Sequence, residues 1–128
     1  MAIARARQAV YRDRSFRALP EALRARYFTP VAGGLSPIPE LQARVSSWSV
    51  VNLVDPRTMA AVAGAPIVFC RNAFIYFSQA AVRQTVQMLA EVMPSPGFLC
   101  IGAAESLLSL TTAFTLQEVG GAFVYVKR

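Results

Sequence analysis

The stretch Ile67-Val68-Phe69-Cys70-Arg71-Asn72-Ala73-Phe74-Ile75-Tyr76-Phe77 decides the fold. A short run of apolar, β-prone residues, Ile67 to Cys70, stops at Arg71-Asn72. A second apolar run then leads to Ser78 and a helical pattern. A buried strand that carries a guanidinium and an amide at its C-terminal end is where open α/β sheets place ligand sites.

The downstream pattern extends this reading. Ser78 is an expected N-cap, and Val82, Val86, Leu89 and Met93 recur at helical spacing along one face. Pro94-Ser95-Pro96-Gly97 closes that helix. Phe98 to Gly102 reads as a further buried strand, followed by the loop Ala103-Ala104-Glu105-Ser106. Strand, helix, strand predicts a right-handed parallel crossover. Ala113–Leu116 and Ala122–Val126 read as an antiparallel hairpin turning at Gly120-Gly121.

Upstream, Val45 to Val51 is β-rich and reads as a strand. It ends in the polar loop Asn52-Leu53-Val54-Asp55-Pro56. Residues 57–65 form a connection with a helical turn, and Pro66 to Cys70 is the next strand. Residues 2–10 and 21–28 read as helices, the second opening at Pro20. Thr29 to Pro39, with its prolines and glycines, reads as a loop. Glu40 to Arg44 is a short helix opening at Pro39. Phe74, Phe77, Val82, Val86 and Leu89 are expected in the core.

Composition narrows the class. The chain has 128 residues, room for one domain at most. Hydrophobic residues make up 55%, too many for a disordered chain. No charge-free run reaches the roughly 18 residues of a membrane span, so membrane insertion is not expected. There is no histidine, which removes the commonest general base and metal ligand. Cys70 and Cys100 fall in expected strands and read as reduced core thiols; no metal site is expected.

The net charge is +6, and seven arginines lie between Arg5 and Arg26. They read as solvated helix faces or as a basic arm toward an acidic partner. Asp13 and Glu21 argue against a transit peptide. No nucleic-acid motif accompanies the arginines, so no nucleic-acid partner is expected.

Phe-Cys-Arg-Asn, with Ile-Tyr-Phe beginning four residues after the arginine, resembles the signature of the CheR-type chemotaxis-receptor methyltransferases. Other landmarks fall in the family's order. They are Ala4–Tyr11, Arg17-Ala18-Leu19-Pro20, Arg26-Tyr27-Phe28, Asn52-Leu53, Pro96-Gly97-Phe98-Leu99, and Gly102 with Glu105-Ser106-Leu107. The resemblance implies an α/β fold: an incomplete doubly wound, Rossmann-like methyltransferase sheet, mostly parallel, with a C-terminal antiparallel hairpin. It implies the C-terminal part of a catalytic domain across 1–128, with a receptor-contact insertion at roughly 11–45. The family's first strands, its Gly-rich loop and the acidic residue that holds the donor ribose are not among these residues. Its Gly-His-Ser-Glu-Ser is Gly102-Ala103-Ala104-Glu105-Ser106 here, and its Phe-Asp before the fourth strand is Ala65-Pro66. Without the first strands, Val45–Val51 lacks a neighbour, an edge to be rearranged or completed by a second polypeptide.

The implied reaction is methyl transfer from S-adenosylmethionine to glutamates of a methyl-accepting chemotaxis receptor, in the cytoplasm. Arg71 and Tyr76 are the expected catalytic pair, framing one site at the sheet rim. Asn52, Leu53, Arg71 and Asn72 are the expected donor contacts. Each has a structural alternative: an ion-paired strand end for Arg71, a core tyrosine for Tyr76, and turn-forming amides for Asn52 and Asn72. Glu105 and Ser106 read as loop braces more than reactive groups. Arg12, Arg14, Arg24 and Arg26 are candidates to meet acidic receptor surface. The rival reading is a non-catalytic remnant or protein-interaction module.

Overall fold

The computed structural model describes residues 2–128. They fall into two compact units that divide between Val50 and Val51.

The first unit carries helix α1 (Ala2–Gln8), helix α2 (Glu21–Tyr27), strands β1 (Phe28–Val31) and β2 (Gly34–Pro37), and the short helix α3 (Pro39–Gln42). The segment read as a loop is in part a hairpin, and Phe28 belongs to it rather than to α2. The register pairs Val31 with Gly34, which leaves Ala32-Gly33 as a two-residue turn with Gly33 at φ 89°. Such turns need a positive φ that glycine supplies. The prolines that argued for a loop stand in a two-stranded ribbon, where missing donors are tolerated. Gly34 lies so close to Tyr11 that any Cβ would overlap the Tyr11 carbonyl oxygen. That approach lets Tyr11 and Leu35 exchange backbone hydrogen bonds of 2.8 and 2.9 Å. Phe16 is buried and meets Phe28 edge to face, ring centroids 4.9 Å apart.

Residues 45–50 take no regular structure, which corrects the strand expected at Val45–Val51. Val50 is 84% exposed and the segment joins no ladder. β-propensity alone does not make a strand; a hydrogen-bonding neighbour does.

The second unit holds helix α4 (Pro56–Met59), strand β3 (Ile67–Cys70), helix α5 (Gln79–Val92), and strands β4 (Gly97–Ile101), β5 (Phe114–Val119) and β6 (Ala122–Lys127). The sheet order is β3-β4-β6-β5. β3 and β4 are parallel, as the intervening helix requires. β4 with β6, and β6 with β5, are antiparallel. The sheet is thus mostly antiparallel rather than mostly parallel: one pairing is parallel and two are antiparallel, and residues 45–51 add none. Gly120 and Gly121, at φ 59° and 81°, make the β5–β6 turn where it was expected.

α5 supplies the core. The Ser78 hydroxyl caps it by accepting from the Ala81 N–H at 3.2 Å. Val82, Val86, Leu89 and Met93 are all buried, packed with Met59, Leu99, Leu107 and Tyr125. Burying each such side chain contributes roughly 1.5–3 kcal/mol. Phe74 is buried and Phe77 packs against the same cluster. The opposite sheet face is open, with Ile67 and Phe69 exposed. Cys70 and Cys100 are both free thiols. The register pairs Cys100 with Phe69, not Cys70, so the two thiols alternate to opposite faces.

Candidate functional site

The C-terminal end of β3 lies between two cavities of the second unit. One, about 280 Å³, is lined by Val51, Leu53, Val68, Cys70, Arg71 and Ala73, among others. The other, about 550 Å³, lies over the open sheet face and includes Phe69, Arg71, Cys100, Gly102, Glu105 and Phe123. Arg71 borders both. Its side chain is exposed and, among the described residues, makes no ion pair.

Two loops rim the smaller cavity. In the first, Asn52 is committed to a turn. Its N–H donates to Thr58 Oγ1 at 3.1 Å, its carbonyl accepts from that hydroxyl at 2.8 Å, and its side-chain oxygen accepts from the Val54 N–H at 3.2 Å. Leu53 faces the cavity while its carbonyl accepts from Thr85 Oγ1 at 2.9 Å. Thr85 is fully buried on the apolar side of α5, so this bond satisfies a hydroxyl that would otherwise be costly there. Gln84 adds a 3.2 Å bond to the Val54 carbonyl.

The second loop follows β3. Asn72 has φ 58°, a left-handed conformation that asparagine tolerates better than most residues. Residues Phe74–Tyr76 then form one 3-10 turn. The carboxylate of Glu105 holds this loop. Its Oε2 accepts from the N–H groups of Asn72 at 2.9 Å and Gly102 at 2.6 Å, while Oε1 accepts from Phe74 at 2.7 Å and Ile75 at 3.3 Å. Burial works against the charge on Glu105, but the four donors together outweigh it and hold its pKa below the usual glutamate value. Gly102 packs closely beneath it: a Cβ there would meet Asn72 Oδ1 and stand 2.8 Å from Glu105 Oε2, so those side-chain oxygens would have to shift. Nearby, the Leu107 N–H donates to the buried Tyr125 hydroxyl at 2.9 Å, which fixes the chain beyond Glu105.

The structure therefore brings Arg71 and Leu53 to one cavity, with Asn52 and Asn72 in the loops behind them. It does not bring Tyr76 to either cavity that Arg71 borders. Tyr76 is 82% exposed, because the 3-10 turn directs it to solvent. Thr85 and Tyr125 were missed by the sequence reading. A threonine amid Val82, Val86 and Leu89 was the available signal for the first; nothing local signals the second.

Residues 1–122 match the family described as CheR methyltransferase, SAM binding domain. The chain belongs to this family. It is 33% identical over 126 residues to the probable biofilm formation methyltransferase WspC of Pseudomonas aeruginosa, covering 98% of this chain and 29% of that protein. Against the WspC protein of Pseudomonas putida it is 30% identical over 125 residues, covering 98% and 29%. Against a chemotaxis protein methyltransferase of Vibrio parahaemolyticus it is 28% identical over 109 residues, covering 85% and 39%. The chain thus spans well under half the length of these relatives.

The family's domain takes S-adenosylmethionine, and the residues present fit one side of such a molecule. An apolar wall of Val51, Leu53, Val68 and Ala73 suits a nucleoside body, and the unpaired guanidinium of Arg71 suits a carboxylate end.

Proposed function

We propose that this member of the CheR family forms part of a protein-glutamate O-methyltransferase acting on chemotaxis receptors, in the cytoplasm. The observation that carries the reading is the unpaired guanidinium of Arg71, at the end of a parallel strand and beside an apolar cavity. In this reading Leu53 and Asn52 border the adenine, Arg71 and the Asn72 amide meet the amino-acid end, and Tyr76 lies on the side from which the receptor approaches.

When bound, S-adenosylmethionine supplies a methyl group carried on a cationic sulfur. A glutamate carboxylate is already ionised at neutral pH, so no general base is required. A chain without histidine can therefore serve this chemistry. Its task is alignment and exclusion of water. The exposed phenol of Tyr76 is free to donate to the receptor carboxylate and orient it.

The basic residues of the first unit supply a second contact. Arg12 and Arg14 are exposed and, among the described residues, unpaired. Arg24 is partly occupied, 5.3 Å from the Phe16 ring and 3.8 Å from Glu21, and Arg26 lies over Tyr27. Arg12 and Arg14 are thus the stronger candidates for acidic receptor surface. β3 stands at the edge of its sheet, and that outer edge suits completion by strands of a second polypeptide.

Isothermal calorimetry with S-adenosylmethionine tests the reading. Saturable binding that Arg71→Ala weakens by about tenfold is expected, the scale of a lost charge-assisted contact. No binding by the wild-type chain would overturn it in favour of a non-catalytic interaction module. The separate placement of Tyr76 from the Arg71 cavities favours that second reading.

A further inference from the structure

We propose that Glu105 is a positioning residue for the methyl donor, acting through Arg71 without touching the ligand. The inference rests on the reading of Arg71 given above and extends it to the residue that keeps Arg71 available.

The geometry carries the point. Glu105 and Arg71 border the same cavity, yet they form no ion pair. An ionised carboxylate has about four acceptor positions on its two oxygens. In Glu105 these are taken by the N–H groups of Gly102, Asn72, Phe74 and Ile75. Three of the donors come from among the four residues that follow Arg71. The bonds therefore do two things. They fix Asn72 in its left-handed conformation, which sets the direction in which the chain leaves Arg71. They also occupy the acceptor positions of the carboxylate that shares a cavity with Arg71, and the two form no direct ion pair. A ligand carboxylate then meets an Arg71 that is oriented and, among the described residues, has no ion-pair partner. Held by four donors, Glu105 is a weak base, and the reaction needs none because the methyl acceptor is already ionised.

Gly102 belongs to the same device. Its N–H is one of the four donors, and its carbonyl accepts from the Glu105 N–H at 3.0 Å. The side chain thus folds back over its own turn before reaching across to residues 72–75. A Cβ at Gly102 would have to displace the Asn72 and Glu105 side-chain oxygens that lie between the two loops.

The test compares two probes on the whole chain: S-adenosylhomocysteine, which has the amino-acid end, and adenosine, which lacks it. Glu105→Gln places an amide N–H₂ where the backbone donates and breaks two of the four bonds. We expect it to weaken S-adenosylhomocysteine about tenfold and to leave adenosine unchanged. Glu105→Asp, which keeps the charge at shorter reach, should lose less, about threefold. It carries the same comparison if the glutamine variant does not fold. Equal losses for both probes would mean a merely structural brace, and no loss for either would mean no role; each overturns the proposal. Failure of the wild-type chain to bind S-adenosylhomocysteine would instead remove the reading of Arg71 on which it rests. Amide spectra of the wild-type chain give a ligand-free arm. The Gly102, Asn72, Phe74 and Ile75 signals should titrate together with a single acidic midpoint, and independent titration would overturn the shared clamp.

Discussion

Residues 52–54 and residues 72–75 border the same apolar cavity but are held by different chemistry. The first loop rests on neutral partners: the hydroxyls of Thr58 and Thr85 and the amide of Gln84. The second rests on one ionised side chain, Glu105, which reaches it from 30 to 33 residues downstream. Neutral bonds spread over several residues hold a loop independently of pH, and losing one leaves the others. A single saturated carboxylate holds its loop more tightly, since charge-assisted bonds are stronger, but fails as a unit. The side that carries Arg71 has the second kind of support.

The largest expected effect removes the floor beneath both loops. Leu89 lines the cavity and is 1% exposed. Leu89→Ala should destabilise the chain by about 2–5 kcal/mol in urea denaturation, and hydrogen exchange should speed up in both loops alike. Exchange confined to one loop would show that they do not share a base. A smaller change separates them. Thr85→Val keeps shape but strands the Leu53 carbonyl, and should cost about 1–3 kcal/mol. Exchange should rise at Val54 and not at Phe74 or Ile75.

Acid should do the reverse. The folded pKa of Glu105 is depressed, so its contribution is fully present above the ordinary glutamate pKa and is lost as pH falls through the lowered value. Amides of Asn72, Phe74 and Ile75 should lose protection in that acidic window while Val54 keeps its own. Asp55, just beyond the first loop, is also held low by Arg57, through its side-chain bond first and its backbone N–H second. Asp55→Asn therefore isolates the Glu105 transition. The smallest effect concerns Cys70. Burial, and secondarily the charge of Glu105, raise its thiol pKa. Alkylation by iodoacetamide at neutral pH should be slower than for a free cysteine, and Glu105→Gln should speed it slightly.

Much of the second unit could be read directly from the residues. Val82, Val86, Leu89 and Met93 announce α5 because one face of a long helix repeats often enough to be seen. Gly120-Gly121 announces its turn because few residues accept two positive φ values in succession. The failures share a cause of the other kind. Val45–Val51 has strand composition, but whether a strand forms depends on a partner that composition does not encode. In β1 and β2 the two prolines hid a pairing that Gly33 and Gly34 permit. At the site, the Arg71 position beside Leu53 follows from the end of β3. The exposure of Tyr76 and the fourfold bonding of Glu105 depend on how one turn closes against a loop far along the chain. No short window contains that information.

The crowding at Gly102 bears on how this loop can diverge. At its base a Cβ would displace the Asn72 and Glu105 side-chain oxygens, whereas Ala103 and Ala104 at the crest are exposed. A polar side chain at Ala103 or Ala104 would therefore change the rim of the cavity and leave the four bonds of the underlying turn intact.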